Sequence, residues 1–279
     1  MFSLHKISVS VIFIFLSVCA SGSDPYTIPA GASEAGMSYS CIMKQGFWSS
    51  FQNQALLPDN GSLRIGFNYE DRFNIAELGT RAAGVIIPAG RTVIGTLYSN
   101  FGYRDFHRHT ANIACGMKLS QKMSAGIQID YFSEVAPGKY SNLQILTFEA
   151  GIIYMPSEKT RIGIHLFNPL PGSLRKSYLP SSLRAGAGLF LNEVLFASAE
   201  LEAVTGRELV LRTGFDYHVG KIFSIRGGFS SENSSFSMGM GFEFRSVNID
   251  LGLRTHERLG ISSSVSLIFN VQEHSFINR

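Results

Sequence analysis

"FSIRGGFSSENSSFSMGMGFEFRSVNIDLGLR", residues 223–254, alternates apolar side chains with small or charged ones, turns, and alternates again. Alternation of this kind is the mark of strands with two unlike faces. One face carries Phe223, Ile225, Phe229, Phe236, Met238, Met240, Phe242, Phe244, Val247, Ile249, Leu251 and Leu253. The other carries Arg226, Glu243, Asn248, Asp250 and Arg254. In hydrocarbon no backbone hydrogen bond can be left unmade, so a β protein there must close on itself, its apolar face to lipid and its polar face to the lumen.

The same period runs from Ser62 to Phe269, and it predicts a transmembrane antiparallel β-barrel of fourteen strands, the second beginning at Ala76. "SAELEAV", residues 198–204, is rich in helix formers but keeps the alternation, and is read as a strand. Carried round the chain, the inward face also takes Arg64, Asn68, Glu70, Arg81, Asp130, Glu149, Arg161, His165, Arg184, Glu200, Glu202, Arg212 and Asp216. No charge falls outward in mid-strand, where a Lys or Arg would cost about 2–4 kcal/mol at the bilayer midplane. Tyr69, Tyr98, Tyr103, Tyr131, Tyr154 and Tyr217 lie near strand ends, where interfacial aromatic girdles belong.

The connections sort by parity. "PAGR", "SQK", "PSEK", "NE", "GK" and "RS" alternate with longer segments such as "SEVAPGKYSN" (133–142) and "NPLPGSLRKSYLPSS" (168–182). Short turns on one side and longer loops on the other are what an outer-membrane barrel requires, with both termini in the periplasm.

The opening "MFSLHKISVSVIFIFLSVCA" has a lysine, an apolar core and a small-residue site, and reads as an export signal cleaved after Ala20. It is too short for a membrane helix, which needs about 20 apolar residues, and no later stretch reaches that length. Without it the chain holds 23 basic and 21 acidic residues, too even a balance to argue for nucleic acid. Only Cys41 and Cys115 would remain, which is no disulfide framework.

Between signal and barrel lie about 40 residues without sustained alternation. "NQALLP" (53–58) is expected to form a short helix with a polar cap, ending at the proline. "PAGASEAGMSYSCIMKQGFWSSFQNQALL" (29–57) resembles the opening of the PorV/PorQ-type branch of FadL-like outer-membrane proteins, which runs through a glycine-rich G-A-x-x-x-G-M-G-G segment to N-P-A-G-L. "NIDLGLRTHERLGISSSVSLIF" (248–269) is similar to the last hairpin of that family. Ser38 and Tyr39 depart from it, standing where the family favours a glycine pair, and Gln54 stands where it favours proline. The resemblance implies a barrel whose N-terminal segment folds into the lumen as a plug, with Gly31, Ala32, Gly36, Met37, Trp48, Asn53 and Ala55 as its candidate residues. It divides the chain into a signal peptide (1–20), a plug (21–60), a barrel (61–270) and a periplasmic tail (271–279).

Catalysis has no foothold in the motifs: there is no G-x-S-x-G and no cysteine with a positioned histidine. His165, His218 and His256 are scattered, so neither a metal nor a cofactor is expected. The glycines of "GTLYSNFG" and "MGMGFEF" lack a strand-to-helix context for phosphate and read as sites where strands bend. The inward charges are expected to neutralise one another, Arg226 near Glu243 and Asp250 near Arg254. The family likeness implies a plugged channel for passive entry of small apolar solutes, held in outer-membrane lipid. The alternative is an accessory barrel of a secretion system that binds exported proteins.

Overall fold

The computed structural model describes residues 31–136, 143–169 and 179–271. Residues 1–30, with the stretch read as an export signal, residues 137–142 and 170–178, and the tail beyond Val271 lie outside the described residues.

The strands are β1 (Leu63–Asp71), β2 (Thr80–Ala89), β3 (Thr92–Gly102), β4 (His107–Lys118), β5 (Met123–Val135), β6 (Leu143–Ser157) and β7 (Thr160–Phe167). They continue as β8 (Ser182–Phe190), β9 (Leu195–Val204), β10 (Val210–Val219), β11 (Phe223–Ser230), β12 (Ser235–Glu243), β13 (Val247–His256) and β14 (Gly260–Val271). Each strand pairs antiparallel with the next, and β1 pairs with β14 from Leu63↔Val271 to Asp71↔Ser263, closing a fourteen-stranded barrel. Closure leaves no strand edge at the ends of the sequence, which is what hydrocarbon demands of a sheet. "SAELEAV" lies within β9, so alternation prevails over helix propensity there.

The second strand begins at Thr80, four residues later than its alternation implied. Phe73 and Asn74 both take positive φ, and Ala76–Leu78 forms a single 3-10 turn before the chain re-enters the wall. Alternation over so few residues cannot tell a strand from a turn.

Outward side chains form an apolar band, with Ile113, Ile127, Phe236 and Met238 each more than 60% exposed. All six tyrosines placed at strand ends are exposed on the outer surface. Arg81 is a correction: it faces outward, with its guanidinium over the Tyr69 ring at 5.9 Å. As the second residue of β2 it stands at the loop rim, where a long cation reaches polar surroundings and costs little.

The segment before β1 fills the lumen. It comprises α1 (Ala32–Ala35), a 3-10 turn at Ser49–Phe51 and a 3-10 helix at Gln54–Asp59. Asn53 caps the last of these, its side chain accepting from Ala55 N at 3.1 Å. Pro58 lies inside that helix rather than ending it, because the chain runs on to Asp59 before turning into β1. Twelve of the fourteen strands turn an inward glycine toward the plug. The other two, β9 and β14, present Ser198 and Ser266, which hydrogen-bond Ser40 Oγ at 2.9 Å and Ala32 N at 2.8 Å. The glycines clear space for a second chain: a Cβ on Gly151 would lie 2.0 Å from Asn53 Oδ1, and one on Gly126 2.4 Å from the Gln54 carbonyl carbon. Gly95, Gly239 and Gly241, read as bends, likewise face inward, and a Cβ on Gly95 or Gly239 would press on Leu57 or Gly36 of the plug.

Candidate functional site: the plugged lumen

The wall holds the plug by ion pairs and buried hydrogen bonds. Arg184 donates to Glu200 at 2.5 Å, to the Gln52 side chain at 3.0 Å and to the Tyr39 carbonyl at 2.8 Å. Glu200 in turn accepts from the backbone N–H groups of Cys41 and Ile42 at 3.2 and 3.4 Å. A guanidinium and a carboxylate taken out of water need such extra partners to offset their lost hydration. Two strands round the wall, Gln54 Nε2 donates to Glu149 at 2.7 Å, an oxygen that His165 Nε2 also approaches at 2.9 Å. Asp130, one strand away, accepts from Gln128 at 2.7 Å.

A second charged centre lies on β10, β11 and β13. Arg226 bridges Asp216 at 3.0 Å and Asp250 at 2.6 Å, and Lys44 of the plug reaches Asp216 at 3.1 Å. The expected couples Arg226–Glu243 and Asp250–Arg254 therefore do not form. Arg226 has two buried carboxylates beside it, and Arg254 instead lies 5.0 Å from the Tyr39 ring centre. Lower in the wall, Arg161 pairs with Asp59 at 2.7 Å and Arg64 donates to Asn60 at 2.8 Å. Asn68 accepts from Ser264 and Ser266, and Glu70 from Tyr39 at 3.4 Å. Toward the loop rim Arg212 pairs with Glu202 and with Glu232. Glu243 is exposed at the short-turn rim.

Gly31, Ala32, Gly36, Met37, Trp48, Asn53 and Ala55 are all buried in the plug. Ser38 and Tyr39 have φ of 52° and 62°, the left-handed region a glycine pair would enter freely. Their side chains hold them there: Ser38 Oγ donates to Ser237 at 2.8 Å, and Tyr39 is clasped by Glu70 and Arg254. Alternation along the strands did not single out Glu34, Lys44, Gln52 or Gln54, because the plug has no period on which to place them. Arg108, bonded to Glu134 at 2.5 Å, was missed because β4 starts at His107, three residues before the expected strand.

Burial sets the chemistry of the plug. It pushes the Cys41 thiol up to about 12, with the Arg184 charge pulling the other way. Tyr39 is likewise pushed up to about 12, by burial and then by Glu70. Glu34 is raised by burial, against the pull of Lys44 and the Ser49 hydroxyl, which donates at 2.5 Å. Cys41 and Cys115 are free thiols. Among the described residues no trio of His, Cys, Asp or Glu side chains gathers at metal-ligating geometry.

The inner wall is not uniformly polar. Phe47, Trp48 and Phe51 pack on Ile86, Val93, Leu97 and Ile268, an apolar sector of β2, β3 and β14. A separate inward patch, Phe132, Ile145 and Phe167 with Leu179 over it, lies between the plug and the loop rim. Beside it, strand pairing of β6 with β7 stops at Glu149↔Phe167; the Phe148 carbonyl still accepts from Asn168 N at 3.1 Å, and among the described residues Leu143–Thr147 has no strand partner on that edge.

No family model and no curated protein matches this chain. Solved structures do. The CymD monoaromatic hydrocarbon channel superposes with a TM-score of 0.72 at 13% identity, covering 88% of this chain and 98% of that one. A Pseudomonas aeruginosa FadL homologue gives 0.65 at 12% identity, with coverage of 88% and 99%. The P. putida toluene transporter TodX gives 0.61 at 11% identity, with coverage of 86% and 99%. At such identities the likeness is one of architecture: the chain has the fourteen-stranded fold of the FadL-like outer-membrane barrels.

Proposed function

We propose that this chain is an outer-membrane channel for passive entry of small apolar solutes, with the segment from residue 31 to 60 as its barrier. The observation that carries this reading is the inward patch of Phe132, Ile145, Phe167 and Leu179 beside a stretch of β6 that, among the described residues, pairs with a strand on one edge only. A barrel that only had to stay closed and solvated gains nothing from aromatic side chains turned into its own lumen. An apolar solute gains about 25 cal/mol for every Å² it hides there. The charged wall below repels such a solute, so it leaves sideways past β6 or waits for the plug to shift. Structural neighbours described as channels for monoaromatic hydrocarbons and toluene support the reading; none supports the secretion-accessory alternative.

Uptake of radiolabelled toluene by cells expressing the protein tests it. Phe132→Ser with Phe167→Ser should lower the uptake rate several-fold while leaving the folded barrel intact. Deleting residues 31–53 should produce conductance steps in planar bilayers that the full chain lacks. Unchanged toluene uptake in the double variant, or capture of exported proteins by the loop rim with no uptake at all, would reject the channel reading.

A further inference from the structure

A cavity of about 330 Å³ lies between the plug and the short-turn rim. Its walls are unlike those of the patch near the loops. Phe47, Trp48, Phe190 and Phe196 supply ring surface, and four carboxyl groups, Glu34, Asp216, Glu243 and Asp250, stand among them. Lys44, Arg64 and Arg226 are the cations of the same cavity.

Donors and acceptors do not balance there. Arg226 is matched by two carboxylates, and Lys44 by Asp216 and the Ser33 hydroxyl. Arg64 donates to the amide oxygens of Asn60 and Asn270 at 2.8 Å each. On the acidic side, Glu34 Oε2 is buried with no hydrogen bond, and so is Asp216 Oδ1, whose neighbour His218 stays 3.7 Å away. Glu243 makes no ion pair among the described residues. The Trp48 indole N–H, fully buried, is also without a partner. Orphaned buried groups of this kind each cost about 1–3 kcal/mol unless something fills the space.

We propose that this cavity is a binding site for small arylalkyl ammonium compounds, the ammonium taken by Glu34, Asp216 and Glu243 and the ring held among Trp48 and its phenylalanine neighbours. An ammonium brings donors and no acceptor, which is what the free carboxylate oxygens lack. The aromatic walls attract the same charge by about 0.5–2 kcal/mol. The ligand's ring face offers the indole N–H a weak acceptor. An anion of the same shape meets four acidic groups and cations already engaged. The inference rests on the reading of the barrel as a plugged solute channel, since the site lies where a solute that has passed the plug would arrive.

Trp48 is the single tryptophan of the chain and lines the cavity, so its fluorescence reports on this site. The purified full chain in phosphatidylcholine vesicles is titrated with phenethylammonium, phenylacetate and propylbenzene. Phenethylammonium should change Trp48 emission saturably, at a concentration at least about tenfold below the other two, a difference of about 1.4 kcal/mol. Glu34→Gln should remove most of that preference. Glu243→Gln, at the exposed rim where folding is not at risk, should weaken phenethylammonium measurably and leave propylbenzene unchanged. Equal binding of phenylacetate, tighter binding of propylbenzene, or no response of Trp48 to the amine overturns the proposal. Toluene uptake separates the two readings. If uptake proceeds and the amine does not bind, this inference alone fails; if the amine binds and nothing is taken up, the channel reading fails.

Discussion

At the scale of single residues, the plug is defined by what touches it. Cys41 is buried within it, with its thiol pushed to about 12, so it should resist alkylation at pH 8 in the folded protein. Gly126→Val places a side chain against the Gln54 backbone and should unseat the plug while the barrel stays closed. Alkylation of Cys41, located by peptide mass spectrometry, should then rise at least several-fold; an unchanged rate would mean that the plug tolerates the wall moving in. Glu34 gives the pH dependence. Its folded value is raised from 4.5, so its contribution to stability is fully present below that value and is lost as pH rises through the higher folded value. Wild-type thermal stability should therefore fall as pH rises above about 4.5, and Glu34→Gln, which cannot ionise, should lessen that fall. None of these contacts was legible in the sequence: the plug's side chains follow no period, and which glycine meets which plug atom depends on where a separate segment settles.

At the scale of elements, strand and plug answer to different physics. Met240 sits at the centre of β12, opposite Ile225 and Leu251, on the lipid-facing side. Met240→Arg should cost about 2–4 kcal/mol, against about 0–1 for changes at rim position Arg81, as read from urea unfolding in lipid vesicles. Comparable costs at the two positions would contradict the membrane placement. The plug is held by polar anchors, and Arg184→Ala leaves Glu200 buried without its cation. That change should destabilise by about 3–5 kcal/mol and release residues 31–60 to protease before the barrel melts. Alternation put Arg184 and Glu200 on one face, where they meet at 2.5 Å, since parity is a property of each strand alone. It paired Arg226 and Asp250 with the wrong neighbours, because an ion pair is settled by burial and by competing partners around the wall, Lys44 of the plug included.

At the scale of the whole molecule, the closed wall, the apolar belt and the two unlike rims form one device, a lipid-embedded cylinder with its bore occupied. The purified protein should run faster on a gel unheated than boiled, as closed barrels do when their strand ladder survives detergent. Co-migration of the two samples would tell against closure. The sequence by itself determined the strand count, the outward and inward faces save at Arg81 on the rim, and the sorting of short turns from loops, because period two and turn chemistry are local and survive any arrangement of neighbours. Only the tertiary structure decided that glycines clear a seat for the plug, that the lumen holds an apolar patch near the loops and a carboxyl-rich aromatic cavity below the plug, and which charges meet. Those features arise where segments far apart in the chain come into contact, and no spacing along the chain encodes a distance across the bore.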